Sequence, residues 1–238
     1  MSNIFLKAEW RKLILANYEV DEAILKKYLP KGTEPDTWNG HIYVSLVGFM
    51  FKNTKVRGIP VPFHRHFEEI NLRFYVKRPI PDQGIKRGVV FIKEIVPKKA
   101  ISLVANVVYN EPYVSMQMDH KEEQHGDTLT VSYGCRNGKW HNMEVKALNT
   151  ASGFKPGSEE EFITEHYWGY TRMRNGETQE YGVEHPSWKM YPVTDYACSF
   201  DFGALYGKDF ESLNNSQPRS VFLAEGSDIL VRSGTPLN

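Results

Sequence analysis

Short segments in which apolar and polar side chains alternate recur along much of the chain, and this alternation constrains the fold most. Successive side chains of a β-strand point to opposite faces, so such segments are typical of strands with one buried face. Between residues 128 and 136, apolar side chains occupy every second position from Leu129 to Cys135. Asn137 and Gly138 are typical of a hairpin tip, and residues 140–148 provide the returning strand, so this segment predicts a β-hairpin.

Nine segments are predicted as strands, because β-branched and aromatic residues are frequent in them or alternate with polar ones. They are residues 41–49, 69–76, 88–95, 113–120, 128–136, 140–148, 180–193, 197–202 and 221–232. Many short strands joined by hairpin turns predict a mainly β fold, with antiparallel strands closed or nearly closed into a barrel.

Helix signals are few, and they mark short helices. Asp21, Pro97 and Ser158 stand where a capping or first-turn residue would begin a helix. The predicted helices cover residues 22–28, 98–109 and 158–167, with a further turn at 209–213. No repeat and no long linker divides the sequence, so residues 1–238 are predicted to form a single domain.

The composition excludes several classes of protein. Lys and Arg number 29, as do Asp and Glu, and this zero net charge disfavours a dedicated nucleic-acid-binding protein. Mean hydropathy is −0.48, and no apolar run reaches the roughly 18 residues of a membrane helix. The two cysteines, Cys135 and Cys198, make no disulfide framework, and charged residues interrupt the first 20 positions. A cytoplasmic location is therefore expected.

Positive charge is concentrated in one stretch, residues 52–99, which holds 12 Lys and Arg against 4 Asp and Glu. An ordinary solvated face explains this excess. A site for a small anion explains it as well, since clustered cations raise the local concentration of an anionic ligand. A third interpretation is a surface for a partner or for homo-oligomer formation.

The segment from Glu69 to Val76 contains the strongest candidates for a site. If it is a strand, Glu69, Asn71, Arg73 and Tyr75 share one face, and the other face is apolar. On an outer surface this polar row would be unremarkable. Inside a barrel it would bind a ligand: Arg73 can pair with a carboxylate, Glu69 can move a proton and Tyr75 can donate a hydrogen bond.

Two adjacent lysines, Lys98 and Lys99, follow Pro97 at the predicted start of a helix. The positive end of a helix and a neighbouring ammonium group both lower the pKa of a lysine, as a Schiff-base amine requires. The alternative is that both lysines are solvated surface residues.

Several ordered segments together resemble a known family. They are Ala16-Asn17-Tyr18, Tyr28-Leu29-Pro30-Lys31-Gly32, Trp38-Asn39-Gly40, Tyr43-Val44-Ser45-Leu46-Val47, the strand from Glu69 to Val76, Gly88-Val89-Val90-Phe91, Gly157-Ser158 with Glu161-Phe162, and His185-Pro186-Ser187-Trp188. From about residue 8 to residue 232 the chain resembles the YqjF-like family of uncharacterised bacterial proteins, which is grouped by fold with acetoacetate decarboxylases. The resemblance implies an antiparallel, cone-like β-barrel with a few peripheral helices and a central cavity.

The resemblance also implies roles for particular residues. In acetoacetate decarboxylase a strand with a glutamate leads to a Pro-Lys-Lys element whose first lysine forms the Schiff base, a lysine activated by a neighbouring cation. Glu94 followed by Pro97-Lys98-Lys99 is similar, although this sequence is about two residues shorter between the acid and the first lysine. Glu69, Arg73 and Lys98 are thus the candidate catalytic residues. Candidate substrate-binding residues are Asn71, Tyr75, Glu94, Lys99, Tyr113, Met116 and Met118.

Neither a metal nor a cofactor is expected. His64 and His66 alternate as two zinc ligands can, but no third ligand is evident, and His185 before Pro186 is interpreted chiefly as a structural turn. No phosphate-binding glycine loop or nucleophile elbow is present. Two functions remain open: a decarboxylase-like lyase acting on a small carboxylate or carbonyl metabolite, and a non-catalytic protein that binds such a ligand.

Overall fold

The computed structural model describes residues 3–60, 65–82, 84–97 and 112–237. This part of the chain is mainly β with few helices, which confirms the predicted fold class. The predicted helix over residues 98–109 lies outside the described residues. Among those described, no helix is both long and apolar enough to cross a membrane.

Most of the chain runs in strands. In chain order these are β1 (Ile4–Glu19), β2 (Glu34–Pro35), β3 (Tyr43–Val56), β4 (Ile59–Pro60), β5 (Phe67–Ile80), β6 (Gly84–Val96), β7 (Tyr113–Ser115), β8 (Gln117–His125), β9 (Thr128–Asn137), β10 (Lys139–Leu148), β11 (Trp168–Arg172), β12 (Thr178–Glu184), β13 (Met190–Tyr191), β14 (Val193–Cys198), β15 (Ser220–Arg232) and β16 (Thr235–Pro236).

The helical elements are short, and two of them begin at the predicted capping residues. The α-helices are α1 (Glu22–Leu25), α2 (Glu159–Thr164) and α3 (Phe202–Tyr206), and 3₁₀ turns cover Lys26–Tyr28 and Lys208–Asn215. Asp21 caps α1 and Ser158 caps α2, each accepting a hydrogen bond from a backbone N–H of the first turn. The helix predicted to reach Tyr167 ends at Thr164.

Seven strands of the large sheet form a ring. Hydrogen-bonded neighbours follow the order β15, β1, β3, β5, β6, β11 and β12, and β12 pairs again with β15 through Val183 opposite Val231. All of these pairings are antiparallel except that of β6 with β11. The path of strands thus returns to its start and surrounds an interior, as a barrel-like fold requires.

A second sheet of four strands, in the order β14, β10, β9 and β8, covers one outer side of the ring. The predicted hairpin forms within it: Asn137 pairs with Lys139, and Gly138 at the tip has a φ of 72°. That left-handed conformation costs a glycine no steric penalty, so the sequence at the tip suits the turn.

The buried apolar residues form two main clusters on opposite faces of the ring strands. The intersheet core lies between the ring and the second sheet and includes Ile70, Leu72, Phe74, Leu129, Val131, Tyr133, Met143 and Val145. The ring interior contains Leu13, Leu15, Tyr43, Val47, Phe49, Phe51, Phe67, Tyr75, Phe162, Ile163 and Trp188. The helix α2 closes one end of the interior, where Phe162 packs 5.4 Å from the ring of Tyr75.

The structure also differs from the predicted strands in other places. Residues 4–19, to which the sequence analysis assigned no element, form β1, the central strand between β3 and β15. The strand predicted over 180–193 breaks after Glu184, where Pro186 lacks the N–H that a ladder needs. The strand predicted over 197–202 ends at Cys198.

Candidate functional site

A cavity of about 220 Å³ lies inside the ring of strands. Most of its wall is apolar and aromatic. That part of the wall includes Phe5, Leu6, Trp10, Leu13, Val47, Phe49, Phe51, Val56, Phe67, Val89, Phe91, Trp168, Tyr181, Val183, Trp188 and Val231. A concave, mostly apolar space with a few convergent polar groups is the usual form of a small-molecule site.

One wall of this cavity carries polar side chains from β5. Glu69, Asn71 and Arg73 line it, and they are only 2%, 2% and 8% exposed. They point inward because the alternate residues of β5, such as Leu72, belong to the intersheet core. Both faces of this strand are therefore buried. The sequence allowed the polar row to lie on an outer surface or inside a barrel, and in the structure it lies inside.

A bulge in β6 brings a second carboxyl group to the same wall. Asn71 is opposite Glu94, whereas Arg73 is opposite Phe91, so β6 has one extra residue between these two pairs. Without the extra residue, Glu94 and Phe91 would face opposite sides of the sheet. With it, both line the cavity.

Glu69 is held by several neighbours. Asn71 Nδ2 donates to Glu69 Oε1 at 2.9 Å, and the hydroxyl of Tyr113 donates to Glu69 Oε2 at 3.3 Å. Glu94 is close enough for the two carboxyl groups to share a hydrogen bond, which requires a proton on one of them. Burial raises the pKa of Glu69 to about 7, although these bonds and the charge of Arg73 act in the opposite direction. Glu69 can therefore accept and release a proton near neutral pH.

Arg73 is held from two sides. Its Nη2 donates to the backbone carbonyl of Ile163 at 3.4 Å, and its guanidinium carbon lies 5.6 Å from the ring centre of Tyr75. Its Nε is buried and has no hydrogen-bond partner among the described residues. A guanidinium group is planar and carries several donors, so Arg73 retains donors suited to a carboxylate.

Tyr75 supports the wall from behind and does not line the cavity. Its hydroxyl lies 2.7 Å from Ser45 Oγ, and Ser45 in turn donates to Asn17 Oδ1 at 2.5 Å. All three residues are buried. This network fixes the ring of Tyr75, against which Arg73 lies.

The remaining candidates from the sequence fall into three groups. Tyr113 lines the cavity beside Glu69. Met116 and Met118 are partly buried and pack against the intersheet core. Lys98 and Lys99 lie outside the described residues.

The sequence analysis did not single out His166, which also lines the cavity. His166 is 6% exposed, and its Nε2 lies 3.2 Å from Asp36 Oδ2, which also accepts a bond of 2.6 Å from Arg87 Nε. Burial lowers the pKa of His166 to about 4, outweighing the bond to Asp36, so the imidazole is neutral at pH 7. Its position just after the capping-box helix is the only signal that the sequence offers.

Asp36 is ionised in this arrangement. Burial acts to raise its pKa, but the bonds from His166 and Arg87 outweigh that effect and lower the pKa to about 2. Because the histidine is neutral, its contact with Asp36 is a hydrogen bond from Nε2–H to a carboxylate, and the formal ion pair is that of Asp36 with Arg87.

His185, interpreted from the sequence chiefly as part of a turn, is also part of the cavity wall. Its ring stacks on Trp188 with ring centres 4.3 Å apart, and its Nδ1 lies 3.0 Å from the carbonyl oxygen of Pro186. Burial lowers its pKa to about 4. Within the described ranges, no three His, Cys, Asp or Glu side chains form a group that could hold a metal ion.

Similarity to known proteins assigns the chain to a family. The model of a family described as an uncharacterized conserved protein, DUF2071, matches residues 7–228. The chain belongs to the DUF2071 family. The uncharacterized protein YqjF of Bacillus subtilis (strain 168) is 30% identical over 186 residues, which cover 77% of this chain and 74% of that protein. The resemblance predicted from the sequence motifs is thus confirmed.

Solved structures similar to this DUF2071 chain include the enzyme MppR and acetoacetate decarboxylases. One is the enduracididine biosynthesis enzyme MppR, complexed with the condensation product of pyruvate and imidazole 4-carboxaldehyde. Its TM-score is 0.70 and its sequence identity is 12%, and the match covers 99% of this chain and 90% of the MppR chain. Another is acetoacetate decarboxylase from Legionella pneumophila subsp. pneumophila str. Philadelphia 1, with a TM-score of 0.63 and 13% identity. That match covers 98% of this chain and 87% of the decarboxylase chain. At such identities the similarity establishes the fold, which is the acetoacetate decarboxylase-like fold that was predicted.

Proposed function

We propose that the cavity binds and transforms a small carboxylate or carbonyl metabolite. The observation that supports this most is the placement of Glu69 and Arg73 on one wall of an otherwise apolar cavity. A buried guanidinium group costs free energy unless an anion or a set of acceptors accompanies it. A ligand carboxylate on Arg73 would supply that partner, while Glu69 moves a proton at the neighbouring carbon.

In the enzymatic form of this proposal Lys98 is the nucleophile. Its amine adds to the ketone of a 3-keto acid, and loss of water leaves an imine whose neighbouring carbon carries the carboxylate. The protonated imine nitrogen accepts the electron pair of the bond to the carboxylate carbon when that bond breaks and CO₂ leaves. The resulting enamine takes a proton on carbon from Glu69, and water releases the product from the lysine. The similarity to MppR, which was solved in complex with a condensation product of pyruvate, supports keto acids as the first ligands to test.

The experiment that tests the imine is reductive trapping. The protein is incubated with a panel of 2-keto and 3-keto acids and borohydride, and the adduct is located by intact mass and peptide mapping. We expect an adduct on Lys98 that is lost in Lys98→Met and retained in Lys99→Met. Absence of an adduct on either lysine with every acid would overturn the imine mechanism.

The alternative is a protein that binds the same class of ligand without transforming it. The extent of the aromatic wall favours this alternative, since it provides far more apolar contact surface than polar groups. Keto-acid binding measured by calorimetry, without trapped adduct and without product, would support it. In both versions Arg73→Met should weaken binding of the acid at least roughly tenfold, whereas Arg174→Met, at an exposed site, should not.

A further inference from the structure

The polar end of the cavity contains a hydrogen-bond acceptor that the proposed function does not use. His166 Nε2 is engaged by Asp36, which leaves Nδ1 as the other ring nitrogen. His166 Nδ1 is buried and has no hydrogen-bond partner among the described residues. A buried polar atom of this kind is costly unless a ligand or a water molecule satisfies it.

The contacts of His166 determine what Nδ1 can do. Asp36 is a carboxylate that also holds Arg87, so it acts as an acceptor and fixes the proton of the imidazole on Nε2. The ring is held further by Tyr75 at 4.8 Å and by Phe162 at 5.1 Å between ring centres. In a neutral imidazole with its proton on Nε2, Nδ1 is an acceptor only.

His166 and Arg73 stand at the same corner of the cavity. Both lie against the ring of Tyr75, and both belong to the cavity wall. Arg73 offers only donors, and His166 Nδ1 offers only an acceptor. A ligand that satisfies both therefore needs an anionic acceptor and, close to it, a donor such as a hydroxyl group.

We propose that His166 is a ligand-binding residue that selects carboxylates with a hydroxyl or enol group on the adjacent carbon. This inference rests on the proposed function, since it takes Arg73 as the site of the carboxylate. A 2-keto acid in its keto form has only acceptors at that carbon and leaves His166 Nδ1 unpaired. The corresponding 2-hydroxy acid, or the enol form, donates to it.

The test compares three acids with the same tail: 2-hydroxy-3-phenylpropanoate, its 2-methoxy derivative and 3-phenylpropanoate. A phenyl tail suits the aromatic wall, and an engineered apolar cavity of about 150 Å³ already holds benzene. Binding to the full chain is measured by calorimetry at pH 7. We expect the hydroxy acid to bind roughly tenfold more tightly than either analogue, as is usual for one hydrogen bond that satisfies a buried group.

The variant His166→Gln separates ligand binding from structural support. Its amide N–H₂ can still donate to Asp36, but it places no acceptor where Nδ1 was. The tenfold preference for the hydroxy acid over its analogues should disappear in His166→Gln. It should persist in His125→Gln, which changes an exposed histidine. A preference that survives in His166→Gln would overturn the inference.

A measurement on the unaltered protein covers the case in which His166→Gln does not fold. With ¹⁵N-labelled histidine, the ring bonded to Asp36 is identified by its retained Nε2–H proton. The Nδ1 resonance of that ring should shift when the hydroxy acid is added and stay in place with the methoxy acid. Equal binding of all three acids overturns this inference alone. Failure of all three to bind overturns the anion site of the proposed function as well.

Discussion

The two faces of β5 are both buried, and they differ in the chemistry of their side chains. Toward the second sheet, Ile70, Leu72 and Phe74 are fully buried among apolar side chains. Toward the ring interior, Glu69 and Arg73 are nearly as buried, and they adjoin a cavity. One strand thus joins a packed core to a polar site, and consecutive side chains on each face are separated by a single residue of the other face.

This difference shows that the two faces of β5 contribute differently to the free energy of folding. Burying an apolar side chain of this size stabilises the folded state by about 1.5–3 kcal/mol. Burying a carboxyl or guanidinium group costs free energy unless it is paired. The intersheet core therefore holds β5 in place, and its rigidity allows the inner face to keep incompletely satisfied groups such as Arg73 Nε.

The largest expected effect comes from removing a side chain of the intersheet core. Phe74→Ala should lower the free energy of unfolding by about 3–5 kcal/mol, since it leaves a void among close-packed side chains. Phe91→Ala, in the cavity wall, should cost about half as much, because part of the Phe91 surface already faces open space. Urea unfolding of both variants measures the difference, and equal losses would contradict the division between the two faces.

The second prediction concerns Glu69 and pH. Its folded-state pKa of about 7 exceeds the ordinary value of 4.5, so the folded state binds this proton more tightly than the unfolded state does. The resulting stabilisation is complete below pH 4.5 and is lost as pH rises to 7. Relative to wild type, Glu69→Gln should therefore gain about 3 kcal/mol in free energy of unfolding between pH 4.5 and pH 8.

The pH dependence of the wild-type protein also contains a contribution from His166, which responds to pH in the opposite sense. Its folded-state pKa is about 4 against an ordinary 6.5, so its contribution to stability is lost as pH falls from 6.5 toward 4. Subtracting the wild-type curve removes that contribution. Glu68→Gln, next to Glu69 but bonded to His120 outside the cavity, serves as the control. A Glu69→Gln difference that does not vary with pH would be evidence against a buried, protonated carboxyl group.

The third and smallest effect is expected at the contact between the ring and the second sheet. A Cβ atom added at Gly48 would overlap the side-chain end of Met143 and would lie 2.9 Å from Tyr133 Cδ2. Gly48→Ala should therefore lower the free energy of unfolding by about 1–3 kcal/mol. Gly153→Ala adds the same atom where nothing lies within 4 Å, and it should leave the unfolding midpoint nearly unchanged. Equal midpoints for both variants would mean that the sheets are not closely packed at Gly48.

Local patterns were sufficient to predict much of the fold. The hairpin around Gly138 and the capped helices after Asp21 and Ser158 depend on neighbouring residues alone, and the structure contains them. The strand β1 was missed although Leu6, Ala8 and Trp10 alternate with charged residues, because Lys12 breaks this alternation and the continuous apolar run after it does not distinguish a strand from a helix. Its backbone is also irregular, since Lys12 has a φ of 53° at a shift in the pairing with β3.

The candidate site was predicted only in part. Alternation placed Glu69, Asn71 and Arg73 on one face, since the period of a strand is a local property. Glu94 joins them only through the bulge in β6, and a bulge depends on how two strands pair. His166 escaped the sequence analysis because its partner, Asp36, is 130 positions away in the chain.

The sequence by itself determined that β5 has one polar face and one apolar face, because side-chain direction follows from backbone geometry. Only the tertiary structure decided that the polar face is buried. That outcome required the ring to close through β12 and β15 and the second sheet to cover the apolar face. Burial is a property of everything that surrounds a strand, and it alone turns the row of Glu69, Asn71 and Arg73 from an ordinary surface into the wall of a cavity.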